Sequence, residues 1–355
     1  MTIAVDCRMI DSSGVGVYFR GILPFFLQSK NDLLLLGNKT RLSSFTPNAN
    51  VKIIECTIKP FSFRELLFFP AKAAKQINKA DVYYTPFFNI PCGIKIPVYT
   101  TIHDIIFPDM PELTSRAGLA VRMFFFRRAL KKSQKIFTVS EFSKSRIEYH
   151  LGKDKPVIVA YCAIQQMFLE YRANNGSIRK KETIIFIGNI KKHKGLDYLL
   201  DAFYQAKKEG IPHKLIIIGS KENFRSSDNA VMQKIEAIGT DTVSFTGYVC
   251  DETLMEYLSA AALLVQPSLY EGFCFPPLEA MVLGTHALIS DIPVLKEIYA
   301  DYPVTFFRAG DSNHLKEKML ELLLKKENNS PVLSEELLSK YTFEKTASKI
   351  FKELE

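Results

Sequence analysis

The sequence predicts an α/β protein built from two domains of similar design, and three observations indicate this class. A chain of 355 residues is long enough for two hydrophobic cores. Short apolar runs rich in β-branched residues alternate with helical stretches from start to finish, which is typical of parallel sheets with helices on both faces. The alternation fails at residues 165–182, which are polar and charged and contain Gly, Ser and Asn, so we expect a linker there.

Each half supplies its own series of elements. In the first half, strands are predicted at residues 2–6, 33–37, 51–56, 81–85, 97–102, 135–139 and 156–161. The helices between them are predicted at residues 16–29, 64–79, 113–132 and 141–151. In the second half, strands are predicted at residues 183–188, 214–219, 242–246, 262–266, 286–290 and 303–306. The helices there are predicted at residues 195–209, 228–238, 251–260, 277–283 and 311–326.

These elements define the predicted domain boundaries. The first domain covers residues 1–165, the linker 166–182, the second domain 183–335, and a C-terminal helical segment 336–355. Several apolar residues share one face of that last segment, so it could pack on either domain, including by crossing back to the first. They are Phe343, Ala347, Ile350, Phe351 and Leu354.

Composition disfavours several classes of protein. With 47% apolar and 24% charged residues, the chain resembles an ordinary globular protein. It begins with a strand pattern rather than a signal peptide, and no apolar stretch approaches the roughly 18 residues of a spanning helix. The six cysteines are scattered, with no CxxC and no nearby His, which argues against a zinc site or a disulfide framework. We therefore expect a soluble, cytoplasmic chain with reduced thiols.

The net charge of +8 is concentrated in the first half. Residues 1–170 contain 23 Lys and Arg against 13 Asp and Glu, whereas the remainder contains 23 against 25. This half therefore indicates a partner such as nucleic acid, anionic lipid or a phosphorylated acceptor. Residues 116–135 combine three Phe with many cations and no acid, which is typical of a helix that lies on an anionic membrane. A core-facing helix with a solvated basic face explains the same pattern.

The strongest chemical signal is the segment PSLYEGFCFPPLEA at residues 267–280. A buried strand ends, a Gly-containing loop follows, and a helix opens with Pro at its first position. Such loops bind ligands in open α/β sheets, and a helix N-terminus presents N–H groups to phosphate. Glu279 in the first helical turn could accept a ribose hydroxyl, and Glu271 in the loop could reach a sugar. Alternatively, Glu279 only complements the helix dipole and Glu271 is a solvated acid.

Residues 267–291 resemble the signature of the retaining glycosyltransferase family 4, whose two glutamates are separated by seven residues. The resemblance covers nearly the whole chain and implies the GT-B fold, in which two doubly wound, Rossmann-like domains face a central cleft. It also implies that Glu271 acts at the transferred sugar and that Glu279 holds the ribose. The rest of the donor site implied for this segment comprises Gly272, Phe273, Cys274, Phe275 and Leu278.

The loop FIGNIKKHKG, after the first strand of the second domain, contains lysines that could neutralise a diphosphate, although lysines in a loop are often only solvated. In the family this loop supplies an Arg directly after the Gly and a Lys further on. The resemblance therefore implies donor contacts from Gly188 and Asn189 and a catalytic role for Lys194. Asn189 replaces the Arg, so Lys191 could complete the diphosphate clamp. Cys274 likewise replaces the usual Gly, where a side chain would narrow the sugar pocket or shift the loop.

The first domain supplies three further residues of the predicted site. His103 ends a strand, and the resemblance implies that it is a catalytic residue at the transferred sugar, oriented by Asp104. A His at a strand end is otherwise more often structural. Gly14 and Gly16 open a helix after the first strand, and the resemblance implies a glycine loop near the donor. They fail as a dinucleotide fingerprint because no third Gly follows, which disfavours a nicotinamide dehydrogenase.

Smaller matches complete the predicted donor site. Gly219 lies in the segment IIIGS, which resembles the second strand of the family's nucleotide domain. Tyr248 and Val249 lie in the segment FTGYV, which resembles the segment beside the nucleobase. Ser140 is expected to cap the helix that begins at the next residue.

The expected activity follows from these matches. Because no Asp-x-Asp motif and no metal-ligand spacing occurs, we expect metal-independent transfer without a cofactor. The resemblance implies retention by front-face attack. We expect a nucleotide-sugar donor, GDP-mannose above all, although a deoxyhexose donor and UDP-hexoses stay open. The expected acceptor is a glycan or polyprenyl-linked glycan of bacterial polysaccharide synthesis, such as lipopolysaccharide, reached from the inner face of the plasma membrane. The alternatives are a non-catalytic sugar-nucleotide-binding protein and a nucleic-acid-binding protein, the latter disfavoured by the lack of RNA-binding signatures.

Overall fold

A parallel β-sheet forms the centre of each of the two units into which the computed structural model divides the chain. The first unit comprises Met1–Ala163 and Tyr341–Glu355, and the second comprises Ile164–Lys340. The two sheets confirm the predicted α/β class. The structure describes residues 1–45, 50–176, 178–219, 229–239, 241–324 and 331–355.

The first sheet has seven parallel strands within the described residues. They are β1 (Thr2–Asp6), β2 (Asp32–Gly37), β3 (Val51–Glu55), β4 (Val82–Thr85), β5 (Val98–Thr101), β6 (Ser133–Thr138) and β7 (Val157–Val159). The strand order is β3-β2-β1-β4-β5-β6-β7, so the chain fills one side of β1 before it crosses to the other. The carboxyl ends of β1 and β4 therefore flank the topological switch point, where open α/β sheets bind ligands.

Helices cover this sheet, and one predicted helix is divided. They are α1 (Gly14–Gln28), α2 (Lys39–Leu42), α3 (Phe63–Leu67), α4 (Ala71–Ile77), α5 (Ile106–Asp109), α6 (Arg116–Lys132) and α7 (Glu141–Leu151). The single helix predicted at residues 64–79 is wrong, since α3 ends before Pro70, and a residue that precedes proline disfavours the helical conformation. The predicted cap of α7 is confirmed, because Ser140 Oγ accepts the N–H of Ser143 over 3.0 Å.

The second sheet has six parallel strands within the described residues. They are β8 (Thr183–Ile187), β9 (Lys214–Ile218), β10 (Val243–Gly247), β11 (Leu263–Gln266), β12 (His286–Ser290) and β13 (Thr305–Phe307). The order is β10-β9-β8-β11-β12-β13, which places the switch point between β8 and β11.

The helices of the second unit include one inside the predicted linker. They are α8 (Gln166–Asn175), α9 (Leu196–Lys208), α10 (Asn229–Ile238), α11 (Asp251–Ala260), α12 (Pro276–Val282), α13 (Pro293–Tyr299), α14 (Ser312–Leu324) and α15 (Glu335–Lys340). Helix α8 is held to the unit by Arg172, whose Nη1 donates to the carbonyl of Val282 over 2.6 Å. Residues 177, 228, 325 and 326 of the predicted linker and helices lie outside the described residues. None of the helices among the described residues is long and apolar enough to cross a membrane.

The last helix, α16 (Phe343–Leu354), packs on α1 in the first unit. The rings of Phe26 and Phe351 have centroids 4.6 Å apart. Gly21 makes room for the Phe343 ring, because a Cβ on Gly21 would lie 2.3 Å from it. The predicted C-terminal segment is therefore divided between the units, with α15 in the second and α16 in the first.

Candidate active site

Two loops meet at the switch point of the second sheet, one after β8 and the other after β11. The N–H of Leu269 donates a hydrogen bond to the carbonyl of His193 over 2.7 Å, which joins the two loops. Gly195 lets them approach, since its φ is +70° and a Cβ there would lie 1.9 Å from the carbonyl oxygen of Pro267. The two loops that the sequence predicted as donor-binding are therefore neighbours.

An ion pair with little exposure links the same loops. Lys194 Nζ lies 2.7 Å and 2.9 Å from the two carboxylate oxygens of Glu271. Ser268 Oγ donates to Glu271 Oε1 over 2.7 Å and accepts from Gln266 Nε2 over 3.0 Å. The exposed fractions of the Lys194 and Glu271 side chains are 22% and 10%. Two of the three predicted catalytic side chains thus contact each other, and their positions are fixed by neighbours.

Local charge keeps the Glu271 carboxylate ionised. Burial acts to raise the pKa of Glu271, but the Lys194 ammonium and the hydrogen bonds from Lys194 and Ser268 bring that pKa below its usual value. Burial, followed by the charge of Lys194, lowers the pKa of His193 to about 4. At neutral pH the site therefore contains a carboxylate beside an uncharged imidazole.

Cys274 adopts a left-handed backbone conformation, with φ at +76°, that usually favours glycine. For a residue with a side chain this conformation costs about 1–2 kcal/mol. The carbonyl of Cys274 accepts a hydrogen bond from the Tyr299 hydroxyl. Burial, together with the adjacent Glu271 carboxylate, holds the pKa of the thiol well above its usual value. The loop thus has a backbone suited to Gly, while a protonated thiol occupies space beside Glu271.

The first turn of α12 differs from the predicted phosphate-binding helix end. Pro276 and Pro277 have no N–H, and the N–H groups of Leu278 and Glu279 both donate to the carbonyl of Phe275. The prediction that this helix end offers free N–H groups is therefore wrong. Among the described residues, no backbone acceptor is found for the amides of Cys274 and Phe275, so the preceding loop supplies the available donors.

Glu279 is buried, with 7% of its surface exposed. Burial, followed by the charge of Asp251, raises the pKa of this carboxyl to about 8, and no hydrogen bond from a described residue offsets the rise. A buried carboxyl without donors is costly, and its charged form is favoured when hydroxyl or N–H groups bond to it. The site can therefore gain stability from a ligand that brings hydroxyl groups to Glu279.

The carboxyl ends of β8, β9 and β10 lie close together through three glycines. Gly219 N–H donates to the carbonyl of Gly247 over 3.0 Å, and Gly188 N–H donates to that of Ile218 over 2.9 Å. A Cβ on Gly219 would lie 2.2 Å from the carbonyl oxygen of Gly188, so a larger residue does not fit. Backbone packing thus accounts for Gly219, and the donor contacts implied for Gly188 and Gly219 stay predictions.

The other side chains predicted to bind the donor are more exposed. Asn189 and Val249 are half-buried, Lys191 is exposed, and Tyr248 is 86% exposed directly after β10. Their roles also stay predictions. Within the described ranges, no three His, Cys, Asp or Glu side chains are grouped so that they could hold a metal ion.

His103 lies in the first unit, directly after β5. Its Nε2 is 2.9 Å from the carbonyl oxygen of Pro86, and its ring lies edge-on to Tyr18 with centroids 4.9 Å apart. Burial lowers the pKa of His103 to about 4, so the ring is neutral, Nε2 donates to Pro86, and Nδ1 is left as an acceptor. Pro86 thus holds the ring in place, Asp104 Oδ1 accepts the N–H of Ile106 over 3.2 Å, and the orienting role of Asp104 stays a prediction.

The two predicted glycines of the first unit have different surroundings. Gly16 is buried, and a Cβ there would lie 2.6 Å from the carbonyl oxygen of Ile10. Gly14, the first residue of α1, is exposed with open space where a Cβ would stand. Packing accounts for Gly16, whereas the donor contact implied for Gly14 has room to form.

A buried network that the sequence did not predict lies at the switch point of the first sheet. Arg8 Nη2 lies 2.5 Å from Asp6 Oδ2 and 2.6 Å from Glu65 Oε1, and the Tyr83 hydroxyl donates to Asp6 over 2.8 Å. The signal available was an Asp and an Arg two residues apart at the end of the first strand. Ser268 was also missed, although it stands three residues before Glu271.

Comparison with known proteins identifies the second unit. Residues 167–335 match the family model described as "Glycosyl transferases group 1". The chain is 28% identical over 234 residues to O-antigen chain mannosyltransferase B of Escherichia coli. This match covers 63% of this chain and 60% of that protein. It is 27% identical over 204 residues to O-antigen chain mannosyltransferase RfbU of Salmonella typhimurium. This match covers 56% of this chain and 53% of that protein. The matched region thus spans less than two thirds of these relatives.

Solved structures match the chain over its full length. HepE of Anabaena, in complex with UDP and glucose, has a TM-score of 0.73 at 17% identity, with 100% of this chain and 99% of HepE covered. Sucrose-phosphate synthase of Thermosynechococcus elongatus has a TM-score of 0.74 at 17% identity, with 99% and 98% covered. At these identities the likeness shows the fold. The chain therefore has the GT-B fold, and its residues 167–335 form a glycosyl transferases group 1 domain.

Proposed function

We propose that this chain is a retaining glycosyltransferase that moves a hexose from a nucleoside diphosphate sugar to a glycan or lipid-linked glycan. The observation that carries this proposal is the Lys194–Glu271 pair at the switch point of the second sheet, inside a glycosyl transferases group 1 domain. In such a pair, the largely buried ammonium can stabilise the anionic leaving group of a glycosyl phosphate, and the carboxylate can bind its sugar.

Each group has a place in the proposed reaction. The acceptor oxygen bonds to the anomeric carbon while the bond from that carbon to the phosphate oxygen breaks, and the electron pair stays on the departing nucleoside diphosphate. The acceptor proton passes to a phosphate oxygen on the same face, which gives retention. Lys194 and the amides of Cys274 and Phe275 stabilise the growing negative charge, a role for which one fixed donor is worth about 10²–10³ in rate. Glu271 orients the sugar, and Glu279 accepts the ribose hydroxyls.

In the first unit, the Nδ1 atom of His103 is proposed to accept a hydrogen bond from a hydroxyl of the sugar. Its Nε2 proton is committed to the carbonyl of Pro86, and its low pKa keeps it neutral, so it acts as a hydrogen-bond acceptor rather than as an acid. Lysine and amide donors are proposed to supply the electrostatic stabilisation without a metal ion.

The proposed donor is GDP-mannose. Its support is that the curated relatives include two O-antigen chain mannosyltransferases. UDP-glucose is the main competitor, because HepE has also been solved with UDP-glucose. We propose that the acceptor belongs to bacterial surface polysaccharide synthesis and that the protein acts on the cytoplasmic side of the membrane, where nucleotide sugars are made.

A panel of nucleotide sugars tests the proposal. The purified chain is incubated with GDP-mannose, GDP-fucose, UDP-glucose and UDP-galactose, with and without chelator, and release of nucleoside diphosphate is measured. Lys194→Ala should lower turnover at least about 10²-fold. The control is Lys214→Ala, an exposed lysine at the opposite end of β9, which should leave turnover unchanged.

Different outcomes refute different parts of the proposal. Nucleotide binding without turnover on any donor would identify a non-catalytic sugar-nucleotide-binding protein. Equal turnover of the Lys194→Ala and Lys214→Ala variants would remove Lys194 from the mechanism. Inversion at the anomeric carbon of the product, read by NMR coupling constants, would exclude retention, and loss of turnover with chelator would exclude metal independence.

A further inference from the structure

The solvent face of α6 bears apolar side chains that stay partly exposed. The three Phe of this basic helix were compatible with a membrane-lying face or with a core-facing one, and Phe125 and Phe126 are buried in the first unit. Phe124 is 52% exposed, and Val121, three residues earlier on the same face, is 38% exposed. The exposed apolar surface of α6 alone is therefore small.

A second pair of exposed apolar side chains stands at the end of α3, where Leu67 is 62% exposed and Phe68 is 71% exposed. This segment is anchored in the first unit on both sides of α3. Before α3, the ring of Phe61 packs against that of Phe125 with centroids 5.0 Å apart. After α3, Phe69 is buried in the same core cluster as several residues of α6. Leu67 and Phe68 thus stand between a residue that contacts α6 and a residue buried in the core of the first unit.

The two segments that carry these four side chains are rich in exposed cations and poor in acids. Residues 56–80 and 113–135 contain a single acid, Glu65, which is fully buried and paired with Arg8. The exposed cations of the two segments include Arg64, Lys72, Lys75, Arg116, Arg127, Lys131 and Lys132. These segments therefore combine exposed apolar side chains with a net positive charge.

We propose that Leu67, Phe68, Val121 and Phe124 insert into an anionic lipid bilayer while the surrounding lysines and arginines contact its headgroups. Protruding aliphatic and aromatic side chains within a basic surface match the interfacial depth of a bilayer and its negative potential. A nucleic acid would be met by the cations but offers no place for Leu67 and Val121. This membrane surface goes beyond the proposed glycosyl transfer, and its test needs no donor.

Vesicle co-sedimentation of the full chain tests the apolar part. Wild-type protein should bind vesicles of phosphatidylcholine mixed with phosphatidylglycerol and should bind pure phosphatidylcholine much more weakly. The double variant Phe68→Ser, Phe124→Ser should lose about tenfold or more in partitioning, since each ring then leaves the bilayer. The matched control Leu324→Ser, Val332→Ser removes apolar side chains that are 63% and 82% exposed in the second unit, and it should bind like wild type.

The electrostatic part has its own matched pair of variants. Arg127→Glu, Lys131→Glu reverses two cations beside Phe124, and each cation at an anionic surface is worth roughly fivefold in binding. Binding should therefore fall by more than about tenfold, and it should fall for wild type as salt is raised. Lys349→Glu, Lys352→Glu changes the net charge of the first unit equally on the exposed side of α16 and should keep most of the binding.

Three results would overturn the membrane proposal. The first is wild-type binding that is equal on neutral and anionic vesicles. The second is loss of binding in both control variants to the same extent as in the test variants. The third is retention of an RNA oligonucleotide in filter binding together with no sedimentation on anionic vesicles, which would assign the surface to nucleic acid. Because all substituted side chains are exposed, unchanged circular dichroism and thermal midpoints establish that the variants are folded.

Discussion

The substitution Glu279→Gln should make the unliganded protein more stable at alkaline pH. The Glu279 carboxyl is almost fully buried, and its pKa of about 8 compares with an ordinary value of 4.5. Since one pKa unit corresponds to about 1.4 kcal/mol, the charged form of Glu279 costs the folded chain about 5 kcal/mol when it is fully ionised. Because Gln has nearly the same shape and no charge, the substitution removes this cost with little change in packing.

The pH dependence has a definite sign. Below pH 4.5 the carboxyl is protonated in both the folded and the unfolded chain, so Glu279 contributes no pH-dependent term. Between pH 4.5 and about 8 the unfolded chain releases the proton while the folded chain retains it, and stability falls as pH rises. Above about pH 8 both forms are ionised and the full cost is present. The Glu279→Gln variant should lack this fall.

Urea unfolding between pH 5 and 9 measures the effect. Because the chain contains no Trp, far-ultraviolet circular dichroism is the suitable signal. The difference in unfolding free energy between Glu279→Gln and wild type should grow in favour of the variant by a few kcal/mol from pH 5 to pH 9. The control Glu256→Gln alters an exposed acid on α11 and should show no such growth. A difference that stays constant with pH would refute the assignment of a buried, protonated Glu279.

Nucleotide binding should change in the opposite direction. If the carboxylate accepts the ribose hydroxyls, binding of GDP or UDP replaces the missing donors, and the loss of a hydrogen bond to a charged group costs about 1.5–3 kcal/mol, or roughly 10–100-fold in affinity. The Glu279→Gln variant should therefore bind a ribonucleotide more weakly and should discriminate less against its 2′-deoxy analogue. Equal discrimination in calorimetric titrations of both proteins would remove Glu279 from ribose recognition.

Three further substitutions test the loops around Glu271. Lys194→Met should destabilise the chain by about 3–5 kcal/mol, because it leaves the Glu271 carboxylate buried without its cation. Adding Glu271→Gln to this variant should restore most of the unfolding free energy but should not restore turnover. Full stability of Lys194→Met alone would contradict this prediction. Cys274→Gly should relieve about 1 kcal/mol of backbone strain, seen as a higher urea midpoint, and should change the ratio of turnover between donors; an unchanged ratio would mean that the thiol does not shape the sugar pocket. Gly195→Ala should lower the urea midpoint far more than Gly210→Ala. Both glycines have positive φ, but only a Cβ added to Gly195 would lie 1.9 Å from a carbonyl oxygen. Equal losses in the two variants would show that backbone strain alone decides the effect.

Much of the fold was predictable because parallel strands buried on both faces read as continuous apolar runs. The strand DLLLLG of β2 is an example, in which the apolar core of the strand is explicit in the sequence. Helix α8 was not recognised because its apolar residues do not form one helical face and because one of its anchors is a tertiary contact, the hydrogen bond from Arg172 to Val282 more than a hundred residues later. The division of α3 from α4 was readable from Pro70 and was overlooked.

Side-chain identity at the site was easier to predict than side-chain contacts. The family resemblance indicated Lys194 and Glu271, and the structure joins them through a short ion pair. The number of free amides at α12 could not be predicted from the helix start alone, because the carbonyl of Phe275 takes the two N–H groups that remain after the prolines. Likewise, the sequence did not predict that Phe124 is exposed while Phe125 is buried, because this depends on which face of α6 meets the sheet.

The two sheets contain the same kind of switch point but fill it in different ways. In the first unit, Arg8 is 2% exposed and donates hydrogen bonds to Asp6 and the fully buried Glu65, so the polar groups at that switch point already bond to one another. In the second unit, Lys194 retains partial exposure and Glu279 is buried with no donor from the described residues. A network that is complete within the protein gains little from a ligand, whereas a buried acid without donors and a partly exposed cation gain from one that brings hydroxyl and phosphate groups. The buried acid and the partly exposed cation at the switch point of the second unit therefore support the proposal that this unit binds the nucleotide sugar.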